Sequence, residues 1–205
     1  KGKLLWETAI EPDEPEDFWN SNYLLGENEE LILNVLSSPS NETAYCSVNI
    51  DGEKTMSPVI QNLSTCYTHN HPLGGYITEG FDSQTRWVIN RLREDFSIEW
   101  TYYTDMHNLD IQNIADDGRI LFVEDLSGGA PYFLRELDAE GNLIHEREFS
   151  STTVAAYFQD RVIVCDDTLT VLNPDFTICE AFEDTLQFPR IKAFDDTFFV
   201  YTWGS

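Results

Sequence analysis

Short apolar runs recur along this chain at a nearly constant interval, and each run follows a turn sequence. The interval is about 36 to 45 residues, which is typical of proteins that repeat one supersecondary unit. The residues ahead of the runs include Gly, Asn and Asp, which tight hairpin turns require. The runs are Leu31–Leu33, Tyr76–Ile77, Ile120–Val123, Val162–Val164 and Phe198–Val200. This pattern predicts the same small sheet built several times.

A second set of segments ends each repeat and keeps the same interval. The segments read GKLLWE, EKTMS, FSIEWT, GNLIHE and FTICE. Short strands separated by regular turn signals favour an all-β fold. A unit of about 40 to 45 residues with room for four strands is typical of a β-propeller blade, whose two faces are buried by its neighbours. Aligning the segments places five residues at one repeat position: Trp6, Met56, Trp100, His145 and Cys179.

The repeat therefore predicts a single all-β domain over residues 1–205, a β-propeller of four-stranded antiparallel blades. It has four whole blades and strands of a fifth. If the strand at 3–10 pairs with 197–203, the ring has five blades; if not, the chain is part of a larger ring. The predicted limits are an outer strand at 3–10, blades at about 20–62, 66–104, 107–150 and 152–183, and a partial blade at 187–203.

One segment fits two kinds of secondary structure. Val88, Leu92 and Phe96 recur at four-residue spacing, which also suits an amphipathic helix. The repeat instead makes 87–92 the third strand of its blade. We therefore predict a strand there.

Charge excludes one class of partner. The chain has 12 Lys and Arg against 37 Asp and Glu, for a formal net charge of −25. Nucleic-acid binding through a basic patch is excluded, because phosphate contacts need clustered cations. No apolar run is long enough to span a bilayer. An acidic surface favours divalent cations and basic partners, and it suits an extracytoplasmic or secreted protein.

The segments GKLLWE at 2–7 and DDGRILFVEDLSGGAPYFLRELDAEGNLIHE at 116–146 resemble repeats of the pyrroloquinoline-quinone-like, or quinoprotein-alcohol-dehydrogenase-like, β-propeller superfamily. The features that match are Asp117-Gly118, Leu137-Asp138, Gly141, and the Trp position at Trp6 and Trp100. The resemblance implies the propeller fold. Dehydrogenases of the family bind the quinone with calcium and a disulfide of adjacent cysteines, and this chain has no Cys-Cys pair. We therefore expect a non-catalytic member without a cofactor.

Three histidines form the most specific candidate site in the sequence. His69 and His71 are two residues apart, so on an extended strand both side chains would project to one side and could reach one metal ion. His107 is predicted to lie in the equivalent connection of the next repeat. A metal site of His69, His71 and His107 is the resulting hypothesis, and solvated turn histidines are the alternative.

The remaining motifs point away from known chemistry. Nucleophile-elbow, Walker and dinucleotide-binding motifs do not occur. Cys165 and Cys179 are predicted to lie two strands apart and unbridged, which leaves Cys46 and Cys66 as the better disulfide pair. The sequence thus predicts a non-enzymatic propeller module that presents a loop face to a protein or glycan ligand. The alternatives are a propeller enzyme with a metal-assisted axial site and a fragment or subunit of a larger assembly.

Overall fold

The computed structural model describes residues 18–26, 30–37, 42–58, 60, 63–104, 106–126, 130–151, 153–166, 168–182, 189–193 and 197–202. Every regular element in these residues is a β-strand, and none of them forms a helix. The strands are β1 (Phe18–Leu25), β2 (Leu31–Ser37), β3 (Glu42–Val48), β4 (Lys54–Met56), β5 (Leu63–Asn70), β6 (Tyr76–Asp82), β7 (Trp87–Leu92), β8 (Ile98–Tyr103), β9 (Asn108–Ile114), β10 (Ile120–Asp125), β11 (Tyr132–Leu137), β12 (Leu143–Phe149), β13 (Val154–Phe158), β14 (Arg161–Cys165), β15 (Leu169–Leu172), β16 (Ile178–Phe182), β17 (Pro189–Ala193) and β18 (Phe198–Thr202).

The strands form sheets in strict sequence order. Four antiparallel four-stranded sheets contain β1–β4, β5–β8, β9–β12 and β13–β16, and β17 pairs with β18 in a fifth, two-stranded sheet. The prediction of repeated four-stranded antiparallel sheets is confirmed. The helix alternative is wrong, because 87–92 is strand β7. The strand predicted at 3–10 lies outside the described residues.

The chain divides into two compact units, Lys1–Thr104 and Asp105–Ser205. In the first unit, the first and second sheets bury Ile32, Tyr45, Tyr76 and Leu92 between them. The Phe96 ring stacks on both tyrosines, with ring centroids 4.7 Å from Tyr45 and 4.9 Å from Tyr76. The first strands of these two sheets, β1 and β5, pack on each other.

The second unit repeats this packing with different side chains. The third and fourth sheets enclose an aliphatic core, and Phe176 packs into it. Strand β13, the first strand of the fourth sheet, packs on β9 on one side and β17 on the other. The core residues are Leu121, Val123, Leu134, Ala155, Val162, Val164, Leu172 and Phe176.

One hairpin geometry occurs seven times in the described residues. The backbone N–H of the first loop residue donates to the carbonyl of the residue four positions later. The carbonyl of the first loop residue accepts the N–H of the residue three positions later. The fourth loop residue has a positive φ, as a type I turn followed by a bulge requires. The residues at this fourth position are Gly52, Gly74, Thr85, Phe96, Gly118, Gly141 and Phe176.

Many of the acidic residues stabilise these hairpins. Asp82 and Asp138 are first loop residues, and each carboxylate accepts two backbone N–H groups of its own loop. Partial burial raises the pKa of Asp138, but hydrogen bonds from the Asn142 side chain and the loop backbone lower that pKa overall. Some of the acidic residues in the sequence are therefore explained by their role in stabilising turns.

Two of the seven positions carry phenylalanine where the others carry mostly glycine. Phe96 has φ 62° and Phe176 has φ 60°, a region that bulky residues rarely adopt. Both side chains reach the preceding sheet: Phe96 lies on Tyr45, and Phe176 stacks on His145 at 5.1 Å. Burial of a ring between two sheets offsets the backbone strain at each site.

The predicted repeat position needs one correction. Met56, Trp100 and His145 lie on the outermost strands β4, β8 and β12 and stand three residues after the end of their hairpin loops. In the fourth sheet that residue is Glu180, which pairs with Val171, and not Cys179. The predicted repeat residue in the short segment FTICE is therefore one residue too early in the chain. Trp6 lies outside the described residues.

All four cysteines are free thiols, so the predicted Cys46–Cys66 disulfide is wrong. Cys46 lies in β3 and packs with Leu33 and Val48, while the adjacent Tyr45 faces the second sheet. Successive strand residues point to opposite faces. Cys46 therefore points away from β5, the strand that carries Cys66.

Thiol labelling of the native protein should separate these cysteines. Cys179 is exposed, whereas Cys46 and Cys165 are buried, and burial also raises the pKa of the Cys46 thiol. We expect a thiol reagent such as Ellman's reagent to modify Cys179 first and to reach Cys46 and Cys165 only on unfolding. Cys179→Ser should remove the first phase. Two fewer reactive thiols after denaturation would instead indicate a disulfide.

Candidate functional site

His69 and His71 lie at the hairpin end of the first strand of the second sheet. His69 is in β5, and its Nε2 is 3.8 Å from Oε1 of the buried Glu79. His71 begins the β5–β6 loop, is buried, and accepts the N–H of Leu73 at its Nδ1 over 3.3 Å. The two residues are therefore not both on an extended strand, which was the premise for a shared direction.

His107 occupies a different place in the repeat. It precedes β9, the first strand of the third sheet, and its backbone N–H donates to the carbonyl of Asp125 at 3.0 Å. The interpretation that His69, His71 and His107 share one type of connection is wrong. His69 lies near the end of β5 and His71 in the β5–β6 loop, whereas His107 lies before the first strand of its sheet. No group of three or more His, Cys, Asp or Glu side chains in the described ranges is placed to hold a metal ion. A metal site of these histidines stays a prediction.

A buried carboxylate joins the third and fourth sheets. Glu136 on β11 is fully buried, and three side chains surround its oxygens. Arg119 Nη1 and the Tyr157 hydroxyl each donate to Oε1 at 2.7 Å, and His145 Nδ1 lies 2.7 Å from Oε2. Tyr157 is on β13 of the next sheet, so the cluster connects two sheets through one acid.

The hydrogen bonds of this cluster stabilise the packing of the two sheets. Burial first, and then the charge of Glu136, raise the pKa of the Tyr157 phenol, so the hydroxyl stays protonated and remains a donor. The Arg119 guanidinium also lies 5.1 Å from the centre of the Tyr157 ring. Sequence reasoning missed the cluster, although His145 at an aromatic repeat position directly opposite Glu136 was a signal for it.

A groove of about 300 Å³ runs along the outermost strand of the second sheet, and we call it the β8 groove. Its floor is formed by Leu63, Val88, Asn90 and Thr101, and its rim by Asp82, Arg86, Ile98 and Tyr103. The groove lies on the face that carries Leu92 and packs on the first sheet. The outer part of this face is accessible, since Ile98 and Tyr103 are 43% and 54% exposed.

The rim of the β8 groove is held in one conformation by Arg86. Its Nε and Nη2 donate to Asp82 Oδ2 at 2.8 and 2.6 Å, and its Cζ lies 4.7 Å from the centre of the Tyr103 ring. Burial raises the pKa of Asp82, but hydrogen bonds from the Arg86 backbone, the Arg86 side chain and Gln84 lower that pKa overall. Asp82 is therefore ionised at neutral pH and keeps Arg86 against the tyrosine.

The floor of the groove carries a polar ladder. Thr101 Oγ1 donates to Asn90 Oδ1 at 2.8 Å, and Asn90 Nδ2 donates to Thr78 Oγ1 at 3.4 Å. A β-bulge at Glu99 brings Ile98, Thr101 and Tyr103 to one face, whereas plain alternation would separate Ile98 from the other two. Sequence reasoning missed the groove for this reason.

A second depression, of about 430 Å³, lies at the hairpin end of the same sheet. The two arginines that line it, Arg91 and Arg93, already bind other groups of the protein. Arg91 is buried and donates to the carbonyls of Leu92 and Gly74, and Arg93 lies 3.5 Å from Glu99. The β8 groove is the candidate functional site because its polar groups retain unused hydrogen-bonding capacity.

The comparisons with known proteins add no family. No protein-family model matches the chain, and no curated protein matches it either. Within the described ranges there is no helix that is both long and apolar enough to cross a membrane.

Proposed function

We propose that this protein is a non-enzymatic binding module of the β-propeller type that presents the β8 groove to a glycan or protein ligand. The observation that carries the proposal is the groove itself. It combines an exposed aromatic ring, an ordered Asp–Arg pair and a hydrogen-bonding floor on one sheet face. Apolar surface with a few convergent polar groups is the usual composition of ligand sites.

The propeller assignment rests on the repeated packing within each unit. Consecutive four-stranded sheets stack face to face, and their first strands pack on each other in both units. Radial stacking of this kind buries both faces of each sheet. The ring also belongs to this proposal: it has five blades if 3–10 pairs with 197–203, and the chain is part of a larger ring if it does not. Hydrogen exchange tests these alternatives: strand-like protection at 3–10 supports closure, and removal of residues 1–10 should then lower the melting temperature.

The contacts of the buried charged side chains also support a binding role. The fully buried Glu136 is surrounded by three partners that join two sheets, and the buried Arg91 donates to backbone carbonyls. Side chains held in this way stabilise the sheets and leave the surface groove for recognition. An extracytoplasmic location fits a module of this type and is part of the proposal.

The test compares the wild type with groove variants on a combined array of glycans and peptides. We expect a ligand class that binds the wild type and loses at least about tenfold in affinity, a free-energy loss near 1.4 kcal/mol, in the double variant Arg86→Ala, Tyr103→Ala. Tyr67→Ala is the matched control, because Tyr67 is 53% exposed against 54% for Tyr103 and lies on the opposite face of the same sheet. Equal binding by all three proteins would refute the proposal.

A further inference from the structure

We infer that the ligand of the β8 groove is a neutral sugar unit of a glycan, an inference that rests on the proposed function and specifies its substrate class. A pyranose ring presents hydroxyl groups around its edge and C–H groups on its faces. It therefore needs donors and acceptors close to an apolar surface. The groove supplies both within about 300 Å³, at the small end of the range for ligand pockets.

The floor of the groove has unused hydrogen-bonding capacity. Asn90 is 2% exposed and has two amide protons, of which the structure uses one, for Thr78. Thr101 gives its proton to Asn90 and keeps its oxygen lone pairs. Asn90 and Thr101 can thus offer a donor and an acceptor side by side, which matches two adjacent sugar hydroxyls. The pair is preorganised, since the hydrogen bond between them fixes both side chains.

The rim supplies the apolar contact and one more donor. Tyr103 and Ile98 are both exposed on the groove face, where they can cover the C–H groups of a sugar ring. Arg86 uses Nε and Nη2 for Asp82, which leaves the Nη1 protons for a ring or hydroxyl oxygen. Because Asp82 already neutralises Arg86, the rim has no net charge to attract an acid.

Charge and topology favour a neutral glycan over the other ligand classes. A chain with a net charge of −25 repels acidic polysaccharides at long range. Extended peptides usually bind by adding a strand to a sheet edge, where main-chain groups are free. The floor of the β8 groove consists instead of side chains on a sheet face, which recognise hydroxyl groups better than they recognise a peptide backbone.

The experiment is an NMR titration of the isotope-labelled protein. The probes are methyl glycosides of glucose, galactose, mannose and N-acetylglucosamine, their neutral tetrasaccharides, polygalacturonate, and the best peptides from the array. We expect a neutral tetrasaccharide to shift the Asn90 side-chain amide and the Thr101 methyl signals. Affinity should fall at least about tenfold in Tyr103→Ala and in Asn90→Asp, which replaces the amide donor with an acceptor. Tyr67→Ala should bind as the wild type does.

The outcomes separate the two proposals. If only a peptide or polygalacturonate shifts the groove signals, the neutral-sugar inference is overturned and the binding function stands. If no probe shifts them, or if Tyr67→Ala weakens binding as much as Tyr103→Ala, both are overturned. Because Asn90 is buried, its variant is interpreted only if its spectrum shows a folded protein. Tyr103→Ala, at an exposed position, decides the question in any case.

Discussion

Replacing Glu136 with alanine is expected to lower the free energy of unfolding by about 3 kcal/mol, measured by urea denaturation at pH 7. The change removes the shared acceptor of Arg119 and Tyr157 in the interface between the third and fourth sheets. The value is at the low end for buried ion pairs. The side chains of Arg119 and His145 are 33% and 31% exposed and regain water when the acid is lost, whereas the Tyr157 hydroxyl does not.

The matched control for this prediction is Glu146→Ala. Glu146 also pairs with an arginine, Arg135, but it is 43% exposed and Arg135 keeps Glu124 as a second partner. An exposed pair contributes at most about 1 kcal/mol. A double-mutant cycle of Glu136→Gln with Tyr157→Phe should show coupling between the two sheets. Equal effects of the two alanine variants would contradict the buried cluster.

Replacing Phe176 with glycine should destabilise the protein less than replacing it with alanine, which is the reverse of the order expected from side-chain size. Phe176→Ala leaves a cavity in the core of the second unit, and we expect a loss of about 3–5 kcal/mol. Phe176→Gly should cost about 1 kcal/mol less than Phe176→Ala, although it removes more side chain, because glycine adopts a φ of 60° without strain. Urea denaturation of both variants measures the difference.

The control for the backbone contribution is Gly141, at the same hairpin position in the third sheet, with φ 84°. Gly141→Ala adds a Cβ in the left-handed region without removing any packing. We expect it to destabilise the protein by about 1 kcal/mol. If alanine is as good as glycine at both positions, strain does not contribute and the expected order at Phe176 is lost.

The sequence was sufficient to predict the sheets because the strand order depends on local information. A run such as Ile120–Val123 and the turn at Asp117-Gly118 specify a strand and a hairpin within a few residues of each other. The repeat interval then decided between helix and strand at 87–92. Neither step needed a long-range contact.

Single-residue register was beyond the sequence, because a bulge adds a residue without changing the composition. The bulges at Glu99 and Cys179 interrupt the alternation of β8 and β16. The bulge at Glu99 explains the missed groove face at Thr101 and Tyr103. It does not explain the misplaced repeat residue, because a match of FTICE to FSIEWT without a gap places Glu180 at the position of Trp100. A pattern with a period of two residues gives no warning of such a shift.

The buried cluster was missed for a different reason. In the sequence, Arg135 and Glu136 look like solvated residues, since charged side chains are rarely fully buried. Glu136 is buried because a tyrosine of the next repeat, Tyr157, covers it. The premise that His69 and His71 lie on one extended strand was wrong for a similar reason, because the burial of His71 in a hairpin follows from the loop geometry and not from the strand pattern.

The strict neighbour order of the strands bears on how the chain reaches its native state. Each paired strand joins one that is adjacent in the sequence, so only short loops must close before a sheet gains its hydrogen bonds. Low contact order of this kind speeds nucleation. Folding can therefore start in any of the four complete sheets and spread to the sheet that packs on it within the same unit.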